Sequence, residues 1–355
     1  MKFKEIAKNF NPAWFAAVMG TAVIPLVLSF LDFPFRNVLA AFFFGVAVLM
    51  FLLLLLPWAT KYLFYREDMG KDLNHPVAAH FLPTMPIAII ILAMDFLKFP
   101  DLFLTVELSR ALAFGLWLLG TIGIYLFGFL IMIRVFSHKG ITPAHANFGW
   151  FIPPVSQLII PAAGLELAEL YPQAMELTFA LSMISFGVGV FLFLFVGAVV
   201  YHRYVYHELP MSRLAPTIFI GMAPTAIIAV VLFKMMHLFE HEAVLGIAPQ
   251  VFAPLAKIAI LVNWGFSAWW FVMACIVILH YIRHIELPYA LTWWAFTFPS
   301  GALCLSSAVA WKATQFSSLF YFFSLATLFL LVVWLIVFLR TAKGAASGKI
   351  FLPAP

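Results

Sequence analysis

Apolar residues fall in ten long blocks along this chain, at about 13–31, 38–62, 80–98, 108–134, 148–168, 176–201, 215–238, 251–282, 290–311 and 319–340. A helix needs about 20 apolar residues to cross a bilayer core of roughly 30 Å. The blocks match that length, and the short segments between them carry most of the charges. No run of strict apolar–polar alternation competes with helix, and helices satisfy their own amides where water is absent. The pattern predicts an all-α membrane protein with ten transmembrane helices. A short segment at 1–12 precedes the membrane domain at 13–340, and a tail follows at 341–355.

The blocks alternate in kind. Odd blocks carry prolines and small polar groups, as in Asn11-Pro-Ala-Trp-Phe-Ala-Ala-Val-Met-Gly-Thr21 and on to Pro25. The next ones read His80-Phe-Leu-Pro-Thr-Met-Pro86, Phe151-Ile-Pro-Pro-Val-Ser-Gln157, Leu214-Ala-Pro-Thr-Ile-Phe-Ile-Gly-Met-Ala-Pro-Thr225 and Trp293-Trp-Ala-Phe-Thr-Phe-Pro-Ser-Gly301. Even blocks are smooth, such as Leu181 to Val200, and the odd starts recur about every 65–75 residues. This predicts five helical hairpins, each a kinked helix followed by a plain one. Proline frees backbone carbonyls, which are tolerated in a membrane only against protein or a water-filled path. The kinked helices are therefore expected to face one another around a central pore. Gly20, Thr21, Pro25, Pro83, Thr84, Pro86, Pro154, Gln157, Thr217, Gly221, Pro224, Thr225, Thr297, Pro299 and Ser300 are the expected lining. The five kinked helices run in the same direction. Each break would present the amide end of a half-helix, worth about half a positive charge, toward an anion.

Composition sharpens the class. The length of 355 residues alone would suit two or three soluble domains, but 65% of the residues are hydrophobic and 10% charged, with a mean hydropathy of +1.06. A soluble domain is roughly a quarter charged. A cytosolic enzyme, a disordered chain and a disulfide scaffold are excluded. The net charge of +5 comes from Lys and Arg in short loops, so it speaks to orientation rather than to nucleic acid. Fourteen of the 20 Lys and Arg, including Lys139 and Lys349, fall on the side that holds both termini, which predicts cytoplasmic termini in a multi-pass protein of the cell membrane. Acidic residues, Glu242 among them, lean to the other side. Lys2, Lys4 and Lys8 ahead of an apolar run resemble a signal peptide, but the run is long enough to span and reads as the first helix. Cys275 and Cys304 lie in predicted spans and read as packing groups.

The first segment quoted above, His75-Pro76 with Phe81-Leu-Pro-Thr-Met-Pro86, Trp293-Trp-Ala-Phe-Thr-Phe-Pro299 and the tail from Thr341 to Phe351 resemble the tellurite-resistance and C4-dicarboxylate transporter family, which includes the plant slow anion channels of guard cells. With ten spans, the resemblance covers essentially the whole chain. The first segment is more similar to the dicarboxylate and sulfite transporter branch. The resemblance implies a ring of five hairpins around a pore, a homotrimer in the bilayer, and passage of small anions such as malate, sulfite, nitrate or chloride. It also implies a pore-plugging Phe on the ninth helix. Phe298 matches that position and Phe296 lies half a turn away. In a chain with 41 Phe, core packing is the competing role for both. The implied protein is a transporter or channel without catalytic residues, cofactor or metal.

Other residues allow two readings each. Lys234 and Lys312 end odd blocks and would form an anion-collecting vestibule, or snorkel to headgroups as Lys257 would. Asp95 is expected to face the interface or to pair with a neighbour. A proton-coupled transporter would need a titratable group in reach of the path, for which His80 and Glu166 are the candidates. His237-Leu-Phe-Glu240-His241 matches H-x-x-E-H, so a membrane metalloprotein is a further alternative. His80, His202 and His280 raise haem ligation, but no fixed cross-helix pairing of His supports it. The tail from Thr341 to Lys349 is Gly- and Ser-rich and basic, and reads as a solvated strap at the lipid surface.

Overall fold

The structure is a computed structural model that describes residues 2–137, 140–241 and 244–351. Lys139, Glu242 and the side chains of His241 and Lys349 lie outside the described residues. The described chain is helical throughout: α1 (Phe3–Lys8), α2 (Phe15–Leu28), α3 (Arg36–Phe64), α4 (Arg66–Asn74), α5 (Thr84–Lys98), α6 (Val106–Ser137), α7 (Ile152–Leu170), α8 (Met175–Tyr206), α9 (Ala223–His241), α10 (Pro249–His284), α11 (Phe298–Thr314) and α12 (Ser317–Ala346). Among the described residues, eight helical stretches are long and apolar enough to cross a membrane, and Pro12–Leu28 is a shorter apolar one. α11 has only 17 residues.

Prolines shorten those two. In α2, α5, α7, α9 and α11 the chain enters through a 3₁₀ turn and then relaxes into α-helix. The turns are Pro12–Trp14, Ala78–Phe81, Phe148–Phe151, Ser212–Met222 and Leu291–Phe296. Pro12, Pro153 and Pro299 occupy the first positions of helical segments, where no amide hydrogen is needed. Asn11 and Asn147 cap two of the turns, accepting from the amides of Ala13 (2.9 Å) and Gly149 (2.8 Å). Most of the breaks therefore lie at the entry ends of the helices rather than in mid-span. Pro25 and Pro161 are the ones inside regular helix.

Burial divides the helices into two sets. In the apolar windows of the stretches ending in α5, α7 and α9, 78–94% of the residues are buried, against 17–33% for α3, α6, α8, α10 and α12. α2 and α11 are buried along almost their whole length. These five inner helices pack in a closed cycle: α2 on α5, α5 on α7, α7 on α9, α9 on α11, and α11 back on α2. Each also packs on the helix that follows it, α3, α6, α8, α10 or α12. The outer five present long apolar side chains outward, such as Leu53, Phe129, Phe195 and Leu328.

Indole groups tie the sets together. Trp270 on α10 donates to the carbonyl of Ile218 in a 3₁₀ turn (2.9 Å), and Trp117 on α6 donates to that of Ile160 (3.0 Å). Trp334 on α12 donates to Thr21 Oγ1 (2.9 Å). At the entry end, Lys61 is buried and donates to the Phe10 carbonyl (2.9 Å) and the Asp72 carboxylate (2.5 Å). Burial raises the pKa of the Asp72 carboxyl, and the Lys61 ammonium pulls it back.

The tail differs from the expected strap. α12 continues to Ala346, because Thr341 is fixed by Trp294 Nε1 (3.0 Å) and exchanges a hydrogen bond with the Tyr289 hydroxyl (2.7 Å). Beyond it, Phe351 stacks on Trp14 with ring centroids 5.2 Å apart. Replacing Thr341 by Val leaves both partners unpaired and is expected to cost about 1–3 kcal/mol. Thermal unfolding in detergent should then show a lower midpoint than the parent chain.

Candidate functional site

Two cavities lie along the inner helices. The first is at their starts and is lined by Ala13, Ala16, Met19, Phe81, Thr84, Ile87, Ile152, Val155, Ile220, Leu291, Thr292, Trp294, Ala295, Phe298 and Pro299. Its volume is ≈ 40 Å³, room for a few water molecules at most. The second is at the far ends and is lined by Leu26, Ser29, Phe30, Met94, Lys98, Leu165, Glu166, Glu169, Val230, Phe233, Lys234, His237, Leu305 and Val309. It measures ≈ 340 Å³, within the range of small-ligand sites. α2, α5, α7, α9 and α11 each contribute to the second cavity, and each contributes to the first either directly or through its entry turn.

The lining rows follow helical spacing. On α5 they are Thr84, Ile87, Met94 and Lys98; on α2, Ala16, Met19 and Leu26; on α11, Phe298, Leu305 and Val309. Seven residues separate the two cavities on these three helices, a rise of about 10 Å. Val23, Ile91 and Ala302 continue the rows through that gap and are at most 2% exposed. Val23 also fills the space beside Gly301: a Cβ added there would lie 2.3 Å from Val23 Cγ1. The gap is an apolar plug, with Phe298 at the end nearer the small cavity.

The structure brings only some of the sequence-selected residues to this path. Thr84, Phe298 and Pro299 line the small cavity, and Thr84 donates to the Pro12 and Phe81 carbonyls (2.8 and 2.6 Å). Phe296 packs edge-on against Phe219 (4.9 Å) and is not among the cavity-lining residues. Gly20 fits against Thr297 across the α2–α11 contact, and Thr297 bonds the Trp294 carbonyl (2.8 Å). Thr21 meets Trp334 on α12, Thr225 meets Ser267 on α10 (2.7 Å), and Gly221 faces Trp270. Pro86 lies against Gly120 and Gly123 of α6, and Gln157 against Gly128 of the same helix. Thr217 and Ser300 bond their own backbone, at Leu214 and Phe296. Pro25 and Pro154 are buried within α2 and α7, Pro83 precedes α5, and Pro224 sits in the first turn of α9.

Charges gather at the large cavity. Lys234 is ion-paired with Glu166 at 2.5 Å. Lys312 lies over the Trp311 ring at 4.5 Å and is not a cavity residue. Lys98 lines the cavity 5.8 Å from the Phe30 ring centroid and forms neither hydrogen bond nor ion pair. In sequence Lys98 is simply a charge at a helix end; its place in the Thr84–Ile87–Met94 row is the signal that puts it on the cavity. His237 Nδ1 is 3.5 Å from the Glu240 carboxylate, with both side chains well exposed. His80 is buried and stacks on Trp150 (4.8 Å), His202 lies beside Tyr206 (4.7 Å), and His280 lies beside His284 (4.9 Å).

The family described as SLAC1, voltage-dependent anion channel, matches residues 9–342. An uncharacterized transporter of Methanocaldococcus jannaschii is 34% identical, over 98% of this chain and 96% of its own. A sulfite efflux pump of Arthroderma benhamiae is 25% identical, over 97% and 92%. A malic acid transport protein of Schizosaccharomyces pombe is 20% identical, over 82% and 68%. The tight fit of Gly301 gives a prediction: Gly301→Ala overpacks the plug and should cost about 1–3 kcal/mol, read as a lower unfolding midpoint in detergent.

Proposed function

The chain belongs to the voltage-dependent anion channel family, and on that premise we propose that it passes small anions through a path bounded by α2, α5, α7, α9 and α11. The observation that carries this reading is the pairing of a large charged cavity with a small one on the same helix rows, across an apolar plug. In this reading the ten apolar helices form five hairpins around one pore. Both termini are cytoplasmic and the small cavity opens to the cytoplasm. The protein works in the cell membrane as a homotrimer and is not an enzyme.

An anion enters the large cavity, where Lys98 supplies positive charge outside the Lys234–Glu166 ion pair. That cavity has the volume for sulfite or a C4-dicarboxylate such as malate, the kinds of substrate named for the fungal relatives, as well as for nitrate or chloride. The apolar plug then excludes water and ions, as hydrophobic constrictions do. Phe298 lines the small cavity's side of that plug and is the proposed gate; Phe296 is held by Phe219. Selectivity would arise from pore width and from the amide ends of the inner helices, which start at the small cavity.

A proton-coupled transporter is the second reading, favoured by Glu166, Glu169 and His237 on the large cavity. The test is anion flux in proteoliposomes, with and without a pH gradient, for the parent chain and Phe298→Ala. The variant is expected to pass more anion, tenfold for each 1.4 kcal/mol or so removed from the barrier. Unchanged flux in Phe298→Ala removes the gate. Flux that demands a pH gradient selects the coupled reading.

A further inference from the structure

Among the described residues, Asp95 is a fully buried charge-bearing group with both carboxylate oxygens unpartnered. It lies on α5, within the apolar span, and is 0% exposed. Neither carboxylate oxygen has a hydrogen-bond partner, and no ion pair reaches it among the described residues. An ionised carboxylate in that place would meet the full cost of burial with no direct partner beside it.

Its direction follows from helical geometry. Each α-helical residue turns about 100°. Ile87, Met94 and Lys98 face the cavities, and Phe96 meets Phe44 of α3 at 4.8 Å. Asp95 falls between these two directions, on the flank of α5 turned to α2. Lys98 is one turn further along and about 60° round, close enough for an i, i+3 pair. Lys98 is also the cavity lysine without a direct ion pair: Glu166 contacts Lys234 and acts on Lys98 only through space.

We propose that Asp95 is a proton-binding site that sets the charge available at Lys98, and with it the capture of anions in the large cavity. This deepens the anion-passage reading and rests on it. With its proton, Asp95 stays buried and Lys98 is free to hold an anion. Without it, the carboxylate leaves the apolar contact, turns along α5 and pairs with Lys98, cancelling the free charge. Anion and proton therefore bind together, and acid on the far side favours capture. The surrounding charges do not substitute for this pair. α2 has no titratable residue. α3 offers Arg36 at its start, α6 has Glu107 and Arg110 in its first turn, and α7 has Glu166 and Glu169. Across the cavity stand Lys234 and His237 of α9, with Lys312 at the end of α11. None is bonded to Asp95.

The experiment measures uptake of nitrate, which does not itself titrate, from the large-cavity side of proteoliposomes across mildly acidic to mildly alkaline pH. In the parent chain the half-saturating concentration should rise roughly tenfold toward alkaline pH, the value of one charge-assisted contact. Asp95→Asn should keep the low acidic value throughout, and Lys98→Gln the high one. An Asp95→Asn protein that retains the parent's pH profile overturns the proposal. If neither the parent nor Phe298→Ala passes any anion, the anion reading fails. A second measurement then still judges Asp95. The infrared carbonyl band of a neutral carboxylic acid should be present in the purified parent at neutral pH and absent from Asp95→Asn. Its absence from the parent overturns the proposal whatever the flux.

Discussion

Inside a bilayer, a backbone carbonyl released by a 3₁₀ turn or a proline has no solvent to donate to it. Much of this structure is arranged around that constraint. The five inner helices each enter through such a turn, which loosens the backbone at one end of the bundle. Neighbouring side chains then take up released carbonyls: the Trp270 indole at Ile218, the Thr84 hydroxyl at Pro12 and Phe81, and the Tyr281 hydroxyl at Pro210 (2.6 Å). Because some donors sit on outer helices, the inner cycle of α2, α5, α7, α9 and α11 depends on the outer set for more than lateral packing.

The same constraint explains why the two cavities differ. At the entry end the looser backbone is filled by bulky side chains such as Met19, Phe81, Trp294 and Phe298, leaving little space. At the far end the last turns of α5, α7 and α9 carry Lys98, Glu166, Glu169 and Lys234 into the cavity. Between them lie Val23, Ile91 and Ala302, with no polar group on those rows to hold water. The gap between the cavities is therefore filled without any special contact. Such filling is what close packing of small and branched side chains yields by default.

The helical class and the inner or outer character of most helices were legible in the sequence, because proline, threonine and glycine concentrate on alternate blocks. The lengths of α2 and α11 were less so: Pro12 and Pro299 start the regular segments late and leave them short of a full span. The direction of individual side chains was largely hidden. Thr21 and Thr225 carry the signature of a polar lining, yet they bond Trp334 and Ser267 on outer helices. A hydroxyl can satisfy its own helix and a neighbour at once, so residue type alone does not tell which face it occupies. Lys98 and Lys312 look equivalent as charges at helix ends. Only the row that contains Met94 sets Lys98 on the cavity, whereas the Trp311 ring holds Lys312 elsewhere.

The contact between Trp14 and Phe351 ties the two extremities of the polypeptide together at one end of the bundle. The cycle of inner helices also closes there, through α2 and α11. The cycle therefore has no outermost member: α2 and α11 are neighbours like any other pair in it. A permuted gene that opens a loop between two other inner helices, and links the segments around Trp14 and Phe351, retains every neighbour relation in the cycle.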